Sequence, residues 1–378
     1  MRQQTIAVIR GSHGSPASRV LEQVRGRGVA FREELAAVTG LSQATVARSV
    51  VALAEAGLIR ERASAAREGR LGRPSIPVSL VTDRHACIGV HIGRWVTTVA
   101  LGDLAGRVVE SVVLRHEQPG RIDLGGVVAA LLDRHLERTP LSAAVVAPWR
   151  SLALDSDPLA DRLETVLGLP VGTADHVAAI AAAEFIHRRH GTGGITCYVY
   201  ARDTAGFTLV IDKGAQTEVA TVTSLAHYPT GSAVRCWCGR TGCFEVTVSD
   251  HALVARAVDN GLVDVPRIEA LRDKAAAGDR EARRMFDERA RWLGEVAAGV
   301  RDMTAPDRTV LVGQAFTGFP PALGEVVASF ERSTSLPPGP LSVTRFGDDI
   351  QAVAACAMAM GPVYDDPLGL VGRWGATG

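Results

Sequence analysis

The chain has 378 residues, 41 basic and 41 acidic side chains, and an apolar fraction of 47%. That is too apolar and too evenly charged for a disordered tail, and long enough for two or three domains. Six cysteines are too few for a secreted disulfide scaffold, and the apolar run Thr5–Ile9 is too short for a signal-peptide core. No stretch approaches the ~20 apolar residues of a membrane-spanning helix. The expectation is a cytoplasmic protein with no membrane partner. Only Lys213 and Lys274 are lysines, a bias attributed to GC-rich coding rather than to function.

Charge is unevenly spread. Residues 1–84 hold 13 arginines against seven acidic residues, a balance of +6, so the remainder carries −6. A basic head on a mildly acidic body suits nucleic-acid binding, although solvated surfaces vary this much by themselves. Residues 1–15 read as a flexible N-terminus and 16–84 as one domain. Ala17–Arg27 places Val20, Leu21 and Val24 at helical spacing, and Phe31–Val38 gives a second short helix closed by Gly40. Ser42 is a good N-cap for a third helix, Gln43 to about Ala56, with Leu41, Val46, Val50, Leu53 and Leu58 on its buried stripe. Ser42, Gln43, Thr45 and Arg48 then face outwards near its start, where a recognition helix offers polar groups to base edges. An ordinary three-helix bundle would give the same helices. It would not give the two strands that follow, Leu58–Ala63 and Ile76–Val81, or the loop between them with Arg67, Arg70 and Arg73. Arginines among glycines at a loop tip suit a narrow minor groove, so this head reads as a winged helix-turn-helix.

From residue 85 the pattern changes to strands Cys87–His91, Trp95–Leu101 and Arg107–Leu114, a helix Leu124–Leu136 and a strand Ala143–Val146. A second run of strands, Ile195–Tyr200 and Phe207–Asp212, precedes helices Asp250–Asp259, Arg267–Ala277 and Arg280–Asp302. Strand Thr309–Val312 and helix Ile350–Met360 complete the reading. The β-β-β-α-β order of the first run resembles one lobe of the actin-like sugar-kinase fold. The fold class expected is therefore α/β: a winged helix-turn-helix followed at 85–378 by a two-lobed, actin-like (ribonuclease H-like) sugar-kinase fold, with lobes near 85–185 and 186–378. Cys87, Cys197 and Cys356 stand alone in apolar runs and read as small core residues.

The other three cysteines lie within eight residues, Cys236-Trp237-Cys238-Gly239-Arg240-Thr241-Gly242-Cys243. Only a tight loop turns three sulfurs to one point, and Gly239 and Gly242 permit it. Zinc takes four such ligands, and His227 can supply the fourth; a closed set of this kind is structural. Three buried thiols, or one disulfide and a spare thiol, are the alternative readings.

Together the head, the body and the loop Cys-x-Cys-Gly-x-x-Gly-Cys-x-Glu at Cys236–Glu245 resemble the ROK family of repressors and sugar kinases, in its transcription-regulator branch. The resemblance implies a zinc held by His227, Cys236, Cys238 and Cys243. It also implies departures. The family's first phosphate loop, Asp-x-Gly-Gly-Thr, falls on His91-Ile92-Gly93-Arg94-Trp95. The second, rich in glycine, falls on Asp203-Thr204-Ala205-Gly206-Phe207. The catalytic Asp of Asn-Asp-x-Asn falls on His176, in Asp175-His176-Val177-Ala178, and the sugar-gripping Glu-x-Gly-His becomes Ser224-Leu225-Ala226-His227. Phosphoryl transfer depends on positioning the phosphates, so the resemblance implies a pseudokinase that is no enzyme. His176, His227 and Glu245 remain as candidates for contact with a polar or sugar-like effector, and Glu245 as a mere loop residue is the plain alternative. His187 and His190 are given no role and placed on a solvated helix end. The function expected is a regulator, by family analogy a repressor, that binds a palindromic double-stranded operator as a homodimer or a dimer of dimers. The rival readings are a sugar kinase with a fused DNA-binding head and a regulator that needs no effector.

Overall fold

The computed structural model describes residues 7–8, 14–62, 76–118, 122–187, 193–213, 217–220 and 222–374. They fall into two compact units, one built from 1–193, 212–218 and 351–378, the other from 194–211 and 219–350.

In the first unit Ala7–Val8 is β1. Helix α1 (Pro16–Arg27) starts at Ser15, whose hydroxyl accepts the Ser18 amide at 3.1 Å, and Pro16 follows where a helix needs no amide donor. Strand β2 (Val29–Ala30) leads to α2 (Arg32–Thr39), α3 (Gln43–Glu55), β3 (Ile59–Glu61) and β4 (Val78–Leu80). The strands form a sheet in the order β2-β4-β3. Val20, Leu21, Val24, Leu35, Val46, Val50, Leu53 and Leu58 are all buried and form the core of this small domain. Strand β2 escaped the sequence reading because two residues carry no periodicity.

Next come β5 (His85–Ile92), β6 (Val96–Gly102) and β7 (Val108–Arg115), α4 (Leu124–Asp133), β8 (Thr139–Ala147), α5 (Trp149–Leu152), α6 (Ser156–Leu167), β9 (Val171–Asp175) and α7 (His176–Ile186). The strands make one sheet, β7-β6-β5-β8-β9. The first three are antiparallel neighbours, and β8 and β9 add in parallel. Ile88, Val90, Ile92, Val99, Leu101, Val128, Leu131 and Val145 pack as its core.

The second unit opens with β10 (Gly194–Ala201) and β11 (Ala205–Asp212). In the next strand, β12 (Thr217–Val219), the first two residues belong with the first unit, where they pair antiparallel with Val8 and Ala7. Then follow β13 (Thr223–Ser224), α8 (Phe244–Val248), α9 (Asp250–Asp259), α10 (Ile268–Ala276), α11 (Arg280–Thr304), β14 (Arg308–Val312), α12 (Gln314–Thr317), α13 (Leu323–Ser333) and β15 (Leu341–Val343). The order β11-β10-β14-β15 runs through the sheet, with β13 on β11. Phe244, Phe286, Leu293, Val296, Leu311 and Phe330 anchor the core between this sheet and α11.

The chain then returns to the first unit as α14 (Ile350–Ala359), α15 (Gly361–Asp365) and α16 (Pro367–Trp374). Helix α14 lies directly on β5. A Cβ at Gly89 would stand 2.5 Å from the backbone of Ala355 and Cys356, so only glycine fits. Cys87, Cys197 and Cys356 are fully buried.

Candidate functional site

Helices α2 and α3 meet at 115° across a three-residue break, the angle of a helix-turn-helix. Gly40 makes the turn in the left-handed region, φ 66°. Ser42 caps α3 by accepting the Thr45 amide at 3.2 Å. Its hydroxyl also lies 2.9 Å from that of Thr45, and Arg48 reaches the Thr45 hydroxyl at 3.4 Å. Ser42, Gln43 and Arg48 are exposed and Thr45 half-buried, whereas Val46, Ser49 and Val50 face the core. Ser42, Thr45 and Arg48 are thus linked by hydrogen bonds at the start of α3, and Gln43 is exposed in its first turn. Arg70 and Arg73, with Arg67, lie outside the described residues.

The cysteine loop is in the second unit. Gly242 stands at φ 72°, and a Cβ there would meet the Ser232 carbonyl at 2.8 Å. The Gly242 amide donates to Val234 at 2.9 Å and the Cys236 amide to Arg240 at 2.8 Å, which folds the loop back on itself. The ligand atoms of His227, Cys236, Cys238 and Cys243 all lie within 4.8 Å of one another. Cys238 Sγ is 3.7 Å from Cys243 Sγ, and Cys236 Sγ is 3.7 Å from His227 Nδ1. A tetrahedral ion with sulfur at about 2.3 Å requires sulfur–sulfur edges of roughly 3.8 Å, so the set fits one. The Arg240 side chain beside Cys238 holds that thiol down to about 6, poising one ligand as thiolate at neutral pH. Cys243 is also the residue before α8, so the loop fixes that short helix. Glu245 in α8 is 2% exposed, and its amide donates to the Ala226 carbonyl at 3.1 Å. It is therefore a buried helix residue and not part of the loop.

The positions matching the kinase motifs divide between the units. In the first, Gly93–Trp95 is a tight hairpin whose Gly93 amide donates to Val96 at 2.8 Å. His176 opens α7 and is buried, which pushes its pKa down to about 3 and keeps the ring neutral. Its ring centroid lies 5.8 Å from that of His91, a second buried imidazole that sequence reasoning did not single out as a site residue. The neighbouring carboxylate, Asp175, is engaged as the cap of α7, accepting the Val177 amide at 2.8 Å. Burial pushes that carboxyl up to about 6 despite the two amides that it accepts.

In the second unit the β10–β11 hairpin carries Arg202 and Asp203. Asp203 accepts the His251 amide at 3.1 Å, at the start of α9. Beside it Asp250 binds Arg289 at 2.6 Å and faces Arg272 at 3.7 Å. Burial alone would push the Asp250 carboxyl up. The guanidinium groups of Arg289, Arg272 and Arg202 outweigh it and hold the carboxyl below the usual range. Sequence reasoning missed this ionic cluster, because its members are up to 87 positions apart (Arg202 to Arg289).

His187 is placed differently from the solvated end expected of it. It is partly buried, with Nδ1 2.8 Å from the Ala183 carbonyl and Nε2 3.1 Å from that of Gly106. His190 lies outside the described residues.

A helix-turn-helix head on a body with an actin-like sheet and a Cys₃His loop defines a regulator built on a sugar-kinase scaffold. Residues 87–335 match the ROK family, and the chain belongs to it, in its transcriptional-regulator branch. A transcriptional regulator of Mycobacterium tuberculosis, Rv0485, is 36% identical over 96% of this chain and 89% of its own length. The DNA-binding transcriptional dual regulator NagC of Escherichia coli is 24% identical over 76% of this chain and 77% of its own. Among solved structures, a ROK family transcriptional regulator, homologous to the E. coli MLC protein, superimposes with a TM-score of 0.72 at 20% identity. It covers 94% of this chain and 98% of its own. A ROK glucokinase from Streptomyces griseus, solved with glucose and AMPPNP, gives 0.60 at 20% identity over 72% of this chain and 98% of its own. These two likenesses establish the fold.

Proposed function

We propose that this protein is a DNA-binding transcriptional regulator of the ROK type, a repressor that reads a two-fold operator as a homodimer or dimer of dimers, with a body that no longer transfers phosphate. The observation that carries this reading is the capped, exposed start of α3 across a 115° turn from α2. It supports Ser42, Gln43, Thr45 and Arg48, at the start of that helix, as the residues that would meet base edges in a major groove. The basic balance of residues 1–84, to which Arg70 and Arg73 contribute by sequence, supports further contacts to the DNA phosphates. Among the described residues no single helix is long and apolar enough to cross a membrane, in keeping with a cytoplasmic site of action.

In this reading His227, Cys236, Cys238 and Cys243 would hold a structural zinc, and a full set of four protein ligands would leave it no place for substrate. What bound zinc supplies is a covalently firm loop; what the chain supplies is the placement of α8 and Glu245. With the carboxylate at the base position replaced by a neutral His176, and Asp203 of the second phosphate hairpin committed to the His251 amide, phosphoryl transfer has neither base nor cradle in this reading. Glu245 and, through its ring nitrogen not turned to the thiols, His227 in the second unit, and separately His176 in the first, remain individual candidates for contact with an effector of sugar-like or other polar chemistry.

The test is selection of duplexes from random DNA by the full-length protein, then titration of Arg48→Ala. A bidentate contact to a base predicts a loss of ~1–3 kcal/mol, about five- to 150-fold in Kd, together with relaxed preference at one position of each half-site. No enrichment of any sequence, or full affinity and unchanged preference in Arg48→Ala, counts against the reading.

A further inference from the structure

Helix α1 has a polar face that the core of the head leaves over, with Ser18, Glu22 and Arg25 spaced four and three residues apart. This face meets α15. Ser18 Oγ donates to the Asp365 carbonyl at 2.8 Å, and the Arg25 guanidinium stands 4.7 Å from the centre of the Tyr364 ring. Glu22 lies 4.0 Å from Arg25 and holds it there. Tyr364 also reaches the other way: its hydroxyl donates to the Leu104 carbonyl at 2.5 Å. Burial pushes the phenol well above its usual range, so it remains a donor at any physiological pH.

Leu104 belongs to the turn between β6 and β7. The turn is rigid. Asp103 accepts the amides of Ala105 at 2.8 Å and Arg107 at 2.9 Å, and Gly106 at φ 82° returns its own amide to the Asp103 carbonyl at 3.0 Å. The turn's next outward carbonyl, that of Gly106, meets His187 Nε2 at 3.1 Å. His187 closes α7, and that helix opens at His176. A side chain at Gly106 would press on His187 Nε2 at 3.1 Å and on Met360 Cε at 2.9 Å, so the two neighbours already touch the turn closely. One four-residue turn therefore receives a hydrogen bond from the residue that docks the head and stands 3.1 Å from the ring of the residue that ends α7.

We propose that the Asp103–Gly106 turn couples α7 to the DNA-binding head, with Tyr364 and His187 as the positioning residues on its two sides. A shift of α7 at its His176 end moves His187, hence the turn, hence the seat of α1. The inference rests on the DNA-binding reading above and adds a route by which the body senses or sets the state of the head. Coupling is reciprocal, so DNA on the head must be felt in α7. This permits a test that needs no effector.

The measurement is amide hydrogen exchange of the full-length protein, with and without a duplex selected from random DNA by the wild type. Binding is expected to protect α3 and to change exchange at least threefold in residues 177–187 and 103–107. Tyr364→Phe keeps the ring over Arg25 and loses only the hydroxyl. It should bind the duplex within threefold of wild type, yet lose most of the response in α7. His187→Ala, remote from α1, should lose it too. If α3 is protected while α7 is unchanged in the wild type, or if both variants transmit the full response, the coupling is overturned and the DNA-binding reading stands. If α3 itself gains no protection, both fall together.

Discussion

Removing the carboxylate of Asp250 is the sharpest test of how the second unit is held together. Arg289, with a side chain 2% exposed, binds it at 2.6 Å, and Arg272, 18% exposed, faces it at 3.7 Å. At an effective dielectric of about 20, these separations correspond to roughly 6 and 4 kcal/mol of gross attraction, most of it offset by desolvation. What counts in Asp250→Ala is the state left behind: a buried guanidinium with its counter-ion gone and a second one beside it. Such removals cost about 3–5 kcal/mol. Asp203 moderates the loss. Burial and the neighbouring Asp250 push its carboxyl up in the intact protein, and without Asp250 it ionises more readily and takes over part of the pairing. The expectation is therefore near 3 kcal/mol. Urea unfolding above pH 6 reads it, and Asp250→Ala combined with Arg289→Met should recover much of the loss, because the orphaned charge goes too. The pH dependence has a definite sign. A carboxyl held below its unfolded value near 4 stabilises fully above that pH, and its contribution is lost as pH falls through the folded pKa. The gap between wild type and Asp250→Ala should thus narrow below pH 4. A variant within 1 kcal/mol of wild type at pH 7, with no rescue by the second substitution, would refute a dry, net-stabilised ionic cluster.

Zinc should be found at about one per chain, with X-ray absorption showing three sulfur ligands near 2.3 Å and one nitrogen. Cys236→Ser should lower both zinc content and melting temperature, and a metal-free protein with three freely reactive loop thiols would end the assignment. Gly89→Ala drives a methyl group into the α14 backbone at 2.5 Å and should cost several kcal/mol or abolish soluble expression; normal melting would mean α14 does not lie on β5. Transfer of phosphate from ATP to hexoses or amino sugars should stay at background. Turnover that vanishes in His176→Ala would return the enzyme reading to first place.

Much of this molecule was legible in sequence because it is built from long periodic segments and one dense motif. Helix Asp250–Asp259 and strands such as Thr309–Val312 emerged close to where periodicity put them, and Ser42 was identifiable as a cap from the residue type alone. The cysteine loop needed no structure, since three thiols in eight residues leave few geometries. The helices α6 and α13 and the strand β9 were not read. In α6 the apolar positions are sparse, and β9 is half polar because it is an edge strand. Nothing local tells that the last helices return to the first unit; that depends on glycine at 89, which looks like any other until a helix backbone lies against it. His187 was misplaced for a related reason. Its partners are Ala183 one turn back and Gly106, 81 positions away, and a histidine at a helix end followed by arginines reads as solvated unless that second carbonyl is known.

The ionic cluster also bears on the proposed loss of the family's phosphate chemistry. A helix start is an anion site, because unpaired amides and the helix dipole both favour negative charge. In this chain the start of α9 is served from within. Ser249 accepts the Ala252 amide at 3.2 Å and Asp203 the His251 amide at 3.1 Å, and Asp250 occupies the first turn. The hairpin that resembles a phosphate loop thus brings a carboxylate of its own to amides that could otherwise serve a phosphate. An incoming nucleotide would meet the buried Asp250 and the partly buried Asp203 as well as the arginines beside them. If the proposed loss of activity holds, restoring a carboxylate at position 176 alone is expected not to restore phosphoryl transfer, because the internal anion at α9 is a second and physically independent obstacle.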